Sequence, residues 1–136
     1  TQSYLELWCT VNTQRVTLLQ HLSGADYKLG CVTNCTKMTA YEVLRRTLLL
    51  PFVEGCIITN EDVKEPKPSP EPYTRACGLL EVTPAEALVF EDHKVGLESA
   101  FKAGCYVKQV HTFPELTVDF VWASIEETNL LIKGTR

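Results

Sequence analysis

Residues 70–110, "PEPYTRACGLLEVTPAEALVFEDHKVGLESAFKAGCYVKQV", decide how this chain is read. Proline suits the first turn of a helix, where a backbone N–H has no partner to lose, and "PEPYTRACGLL" goes on with apolar groups at helical spacing. "EALVFEDH" is a short apolar run with a polar exit, the form of a strand buried on both faces. "VGLESAFKAG" returns to helical spacing, and "CYVKQV" is a second short strand. A helix between two short strands is the connection that parallel strands require.

The same unit extends upstream. "RVTLLQHL" (15–22) reads as a helix ended by "SGAD", and "YKLGCVTN" (27–34) as a buried strand. "TAYEVLRRTLLL" (39–50) reads as a helix with Thr39 as cap and Glu42 as its box partner, and "GCIITNEDV" (55–63) as a further strand. Downstream, "VDFVWAS" (118–124) reads as an edge strand, and "SIEETNLL" (124–131) as a helix capped by Ser124 with Glu127 in the box position. The fold class is therefore α/β: a three-layer sandwich with a mostly parallel, Rossmann-like sheet.

Composition narrows the function. The chain has 136 residues with 45% hydrophobic content, enough for one core, and a net charge of -4 with no basic run to attract nucleic acid. Charges, Pro51 and Gly55 break the longest apolar stretch, so no membrane span is expected. Cys31, Cys56 and Cys105 sit in or beside strand-like segments, which points to reduced thiols in a cytoplasmic protein. Cys31 and Cys35 lack a second cysteine pair, and the histidines are scattered at 21, 93 and 111, so no structural zinc is expected.

In open parallel sheets the site lies beyond the carboxyl ends of the strands. Three exits are polar: Thr33 and Asn34, Asn60 to Asp62 leading into "EDVKEPKPSPEPY" (61–73), and Glu91 with Asp92. A hydroxyl, a lysine and a carboxylate on one rim fit a phosphoryl site. Thr33 would donate to a nonbridging oxygen, Lys67 would neutralise growing charge, and Asp92 would ligate Mg2+ with Glu91 beside it. Each group also has a plain structural reading: Thr33 as a turn cap, Lys67 as a solvated loop charge, Glu91 and Asp92 as the start of a helix.

These residues resemble the haloacid dehalogenase superfamily, in its branch of β-phosphoglucomutase and small sugar-phosphate phosphatases. "LGCVTN" is similar to the family's second motif, "KPSPEPY" to its third and "VFEDHKVGLESAFKAG" to its fourth. The resemblance implies Thr33 and Lys67 as catalytic groups, Thr33, Asn34 and Lys67 as phosphate contacts, Asp92 and Glu91 as Mg2+ ligands, and Gly96 and Gly104 as helix-packing glycines. His93 and Pro66 depart from the usual pattern. A larger departure is that the sequence contains no Asp-x-Asp, which the family uses as nucleophile and acid-base. The expectation is that residues 15–136 are the carboxyl-terminal part of such a core, that residues 1–14 end a cap or its linker, and that the nucleophile strand comes from the rest of the protein or another chain. Alone, this chain is expected to be inactive; completed, it is expected to be a phosphatase acting on a small phosphorylated metabolite, with a phosphomutase or a noncatalytic interaction protein as alternatives.

Overall fold

The computed structural model of the chain describes residues 13–111 and 117–134. Helix α1 (Thr13–Gly24) leads to strand β1 (Cys31–Val32), helices α2 (Lys37–Arg46) and α3 (Leu50–Val53), and strand β2 (Ile57–Ile58). Helix α4 (Glu71–Leu80), a 3-10 turn (Pro84–Glu86), strand β3 (Leu88–Glu91), helix α5 (Lys94–Ala103), strand β4 (Tyr106–Gln109) and helix α6 (Val118–Gly134) complete the order. The segment assigned to a cap or linker, residues 1–14, lies outside the described residues except for the start of α1.

All strand pairing among the described residues is parallel, and helices cover both faces. Strand β1 pairs with β2 in the register Cys31↔Ile57, and β3 pairs with β4 in the register Leu88↔Tyr106. The two pairs form separate two-stranded sheets. Alternation along each strand sends its side chains to opposite layers. Val32, Val89 and Val107 pack on Tyr73, Cys77, Ala100 and Cys105 of the α4/α5 side, whereas Leu29 and Phe90 pack on Leu18, Leu22 and Val121 of α1 and α6. Leu29 and Cys31 also meet Leu44, Val53 and Ile57 under α2 and α3. Cys31, Cys35, Cys56, Cys77 and Cys105 are all free thiols, and no helix among the described residues is long and apolar enough to cross a membrane.

Four local readings need correction. Thr36, not Thr39, caps α2: its hydroxyl accepts from the Thr39 N–H, and Glu42 instead pairs with Arg45 and Arg46. The helix expected over 39–50 is two helices, because Leu48 turns into the left-handed region at φ 63°. "VDFVWAS" is the start of α6, not an edge strand, and Ser124 is an interior residue whose hydroxyl donates to the Phe120 carbonyl. Glu127 pairs with Lys108 rather than closing a cap. A seven-residue apolar run fits a buried strand or a buried helix equally well by periodicity. Packing decides here, since the helical face carrying Val121 and Ile125 meets Leu18 and Leu22.

Leu22 is only 6% exposed in that contact between α1 and α6. Leu22→Ala is expected to cost about 2–5 kcal/mol of stability by removing buried methyl groups and leaving a cavity. Leu130→Ala, at a position 69% exposed, is expected to leave the urea midpoint nearly unchanged. Urea denaturation of both variants measures the contrast.

Candidate functional site

The loop between β2 and α4 is fastened along its length. Where β2 ends, Asp62 Oδ2 accepts from the Thr59 N–H at 2.8 Å and from its hydroxyl at 3.0 Å, and these bonds hold the Asp62 carboxyl below the usual range. Glu71, the first residue of α4, then accepts from the backbone N–H groups of Lys64 (2.9 Å) and Glu65 (3.2 Å). The Lys67 N–H donates to Asn34 Oδ1 at 3.3 Å, tying the loop to the exit of β1. The Lys67–Pro68 peptide is cis. Finally Ser99, fully buried on α5, donates its hydroxyl to the Ser69 carbonyl at 2.6 Å. Anchors from β1, α4 and α5 thus bracket a few residues rich in proline, whose φ is already restricted.

The consequence is an inward lysine. Lys67 Nζ lies 2.7 Å from Glu91 Oε2 and 3.1 Å from the Val32 carbonyl, and sits 5.3 Å from the centre of the Tyr73 ring. The two charged side chains are 7% and 9% exposed. A lysine ammonium has three donors; two are committed to Val32 and Glu91. Lys64 stays exposed at the surface, so the loop delivers Lys67 and not its neighbour.

Glu91 is held from both ends. Oε2 accepts from Lys67 and, at 2.7 Å, from the Tyr73 hydroxyl; Oε1 faces the N–H groups of Asp92 (3.2 Å) and His93 (3.4 Å). Burial by itself would raise the Glu91 carboxyl, but bonds from Lys67 and Tyr73 and the lysine charge outweigh it and hold the group below the usual range. Burial, with the bond to Glu91, pushes the Tyr73 phenol strongly up, so it acts as a donor. Gly96 on α5 makes room for this arrangement: a Cβ there would overlap the Glu91 carboxylate. Gly104 plays a different part, ending α5 in the left-handed region at φ 93°.

The other candidates lie on the same rim. The Thr33 N–H donates to the Ile58 carbonyl at 2.9 Å, continuing the β1–β2 ladder, while its hydroxyl oxygen accepts from the Cys35 N–H at 3.0 Å. That use as an acceptor leaves the hydroxyl proton free to donate. Asn34 is exposed, with its side chain turned to the lysine loop. The Asp92 side chain is 33% exposed, and its Oδ2 lies 3.9 Å from His93 Nε2. Mg2+ is usually held by one or two carboxylates together with phosphate and water oxygens. No cluster of three or more candidate ligand residues occurs among the described residues. Asp92 fits as one such ligand, whereas both Glu91 oxygens, expected to share that task, are taken up by Lys67, Tyr73 and two backbone amides.

Tyr73 and Ser99 are the positions that sequence reading did not single out. Tyr73 closes the lysine motif itself, and its place in the first turn of α4 is the signal that could have marked it. Ser99 gives no such signal, because its partner is a carbonyl 30 positions away.

A family model described as haloacid dehalogenase-like hydrolase matches residues 9–110, and the chain belongs to that family. A validoxylamine A 7'-phosphate phosphatase from Streptomyces hygroscopicus subsp. limoneus is 37% identical over 89 residues, 65% of this chain and 41% of its own length. A plasmid phosphoglycolate phosphatase from Cupriavidus necator is 33% identical over 125 residues, 87% of this chain and 54% of its own. Among solved structures, CbbY from Rhodobacter sphaeroides in complex with phosphate aligns with a TM-score of 0.68 at 25% identity, over 74% of this chain and 45% of that one. The chain spans about half the length of the curated relatives it matches.

Because the Glu91 carboxyl is held low in the folded state, its contribution to stability is complete above the ordinary carboxylate range and is lost as pH falls through the lower folded value. Glu91→Gln is expected to flatten acid unfolding below about pH 4 and to cost about 3–5 kcal/mol at neutral pH, since Lys67 is left buried without a counter-charge. Urea titrations from pH 3 to 7, a span on the order of the carboxylate range, measure both.

Proposed function

We propose that the complete protein is a Mg2+-dependent phosphatase acting on a small phosphorylated metabolite, a sugar phosphate or similar monoester. The observation that carries this reading is the buried Lys67 ammonium, fixed by Glu91 and by the carbonyl of Val32, the residue before Thr33, with one donor uncommitted among the described residues. In this reading, Lys67 and Thr33 donate to nonbridging phosphate oxygens, and Asn34 contacts the phosphate while holding the lysine loop. Preorganised donors of this kind act where charge grows in the transition state. Asp92 supplies one carboxylate to the metal, which would neutralise phosphate charge. Phosphate monoesters are also what the matched phosphatases are named for.

The nucleophile in this reading is an aspartate on a strand that the 136 residues do not supply, since they contain no Asp-x-Asp. The phosphorus–ester oxygen bond breaks as the bond to the carboxylate forms, with the second aspartate of that strand giving its proton to the departing alcohol oxygen; the same aspartate then takes a proton from the water that attacks phosphorus, releasing phosphate and restoring the nucleophilic carboxylate. Backbone geometry supports a place for such a strand. Cys31 and Thr33 direct their N–H groups to β2, so Val32 faces away from β2, and its carbonyl takes Lys67 instead. Ala87 and Glu91 direct their carbonyls to β4, so Leu88 and Phe90 turn theirs away from it. Lys67 reaches both strands, through the Val32 carbonyl on β1 and the Glu91 side chain on β3, and in this reading residues 15–136 form the carboxyl-terminal part of the core.

Lys67→Ala in the complete protein is expected to lower turnover about 100-fold or more, as for loss of a strong electrostatic donor, whereas Lys64→Ala is expected to change it little. Asp92→Ala is expected to raise the Mg2+ concentration needed for half-maximal activity. Steady-state phosphate release at varied Mg2+, after circular dichroism confirms folding, measures all three. Isomerisation of a sugar monophosphate without stoichiometric phosphate release would replace the phosphatase reading with a mutase. Equal small effects of both lysine variants would remove the proposed site.

A further inference from the structure

We propose that Tyr73 is the positioning residue of this site: its hydroxyl fixes the Glu91 oxygen that aims Lys67, an inference that rests on the phosphoryl-transfer reading above. Tyr73 touches both members of the ion pair, donating to Glu91 Oε2 at 2.7 Å and placing its ring 5.3 Å from Lys67 Nζ. The oxygen it binds is the same one that accepts from Lys67, and the opposite oxygen faces two backbone amides. With the phenol present, the carboxylate is pinned at both ends and the α5 backbone at Gly96 walls it in. Without the phenol, Oε2 keeps only the lysine, and the direction of the carboxylate rests on the two amide contacts to Oε1 alone. The ammonium would then lose its fixed direction while remaining paired.

The plain alternative is packing. Tyr73 is 6% exposed and belongs to the cluster with Cys77, Ala100 and Cys105, so its ring would be retained for the core alone. A buried phenol needs a hydrogen-bond partner, but any carbonyl would satisfy it. Here the partner is the charged group that orients the lysine, and the helix register of α4 brings the hydroxyl to it from six positions beyond Lys67 in sequence.

Tyr73→Phe keeps the ring and removes the donor. Two readouts test it in the complete protein, with p-nitrophenyl phosphate as the kinetic probe. Turnover should fall about tenfold while KM changes by less than about twofold, the pattern of an interaction used mainly in the transition state. In a Lys67→Ala background the same change should have no further effect, because the positioned group is gone. Independently of activity, 15N-lysine labelling should show one slowly exchanging ammonium resonance, assigned by its loss in Lys67→Ala, whose exchange accelerates about tenfold in Tyr73→Phe. An unchanged ammonium exchange rate, a wild-type protein lacking a protected ammonium, or equal losses in both backgrounds would overturn the proposal and leave Tyr73 as a packing residue. If Lys67→Ala leaves turnover intact, the phosphoryl-transfer reading fails, yet the ammonium exchange still decides whether Tyr73 orients the lysine.

Discussion

The buried contact between Lys67 and Glu91 is the constraint around which the rest is arranged. Removing two charges from water costs several kcal/mol per ion, and their attraction offsets that only when the remaining donors and acceptors are also satisfied. The structure meets this condition except for one ammonium donor: the ammonium reaches Val32 as well as Glu91, and the carboxylate receives Tyr73 and two amides in addition to the lysine. The requirement reaches into the sequence far from either charge. Position 96 must be glycine because a Cβ would enter the carboxylate, and α4 must start early enough to bring Tyr73 under the lysine.

A fixed lysine also needs a fixed backbone. Ordering such a side chain costs about 1.5–2 kcal/mol of rotamer entropy, and each loop residue adds about 1–2 kcal/mol. The prolines at 66, 68 and 70 lower the backbone share by limiting the unfolded chain as well as the folded one. The remainder is offset by bonds from Asn34, Glu71 and Ser99, each from a different element. Rigidity here is therefore a tertiary property: the prolines restrict the loop, but the β1 exit, α4 and α5 determine where it points.

That division explains what could be read in the sequence. Alternating strands and helices, and a helix over "PEPYTRACGLL", follow from local pattern, and the resemblance of "KPSPEPY" to a family motif marked Lys67, which the structure turns inward. Features set by distant partners were not legible. "VDFVWAS" carries no mark of helix until Val121 is seen against Leu18 and Leu22. Thr36 and Thr39 are equally good caps by residue type, and only the chain direction leaving β1 selects Thr36. Glu91 read as an open carboxylate because its neighbour Asp92 suggested a pair, whereas Lys67 and Tyr73, 24 and 18 positions away, had already engaged it.

Pairing Lys67 with Glu91 has an electrostatic consequence for the proposed reaction. The two charges sum to zero, so the lysine offers an incoming phosphate a directed donor more than a net attraction. Asp92 adds a negative charge on the same rim. A phosphate dianion entering there, next to a further carboxylate nucleophile, would meet repulsion that a single hydrogen bond from Thr33 and one from Lys67 do not offset. Like charges in a partly dry crevice interact more strongly than in water. In the proposed reading, a divalent cation that Asp92 would help to hold would supply the positive charge needed to reverse that balance. In the same reading, neutralising the lysine with Glu91 would serve direction, and the charge needed to hold the substrate would be left to the metal.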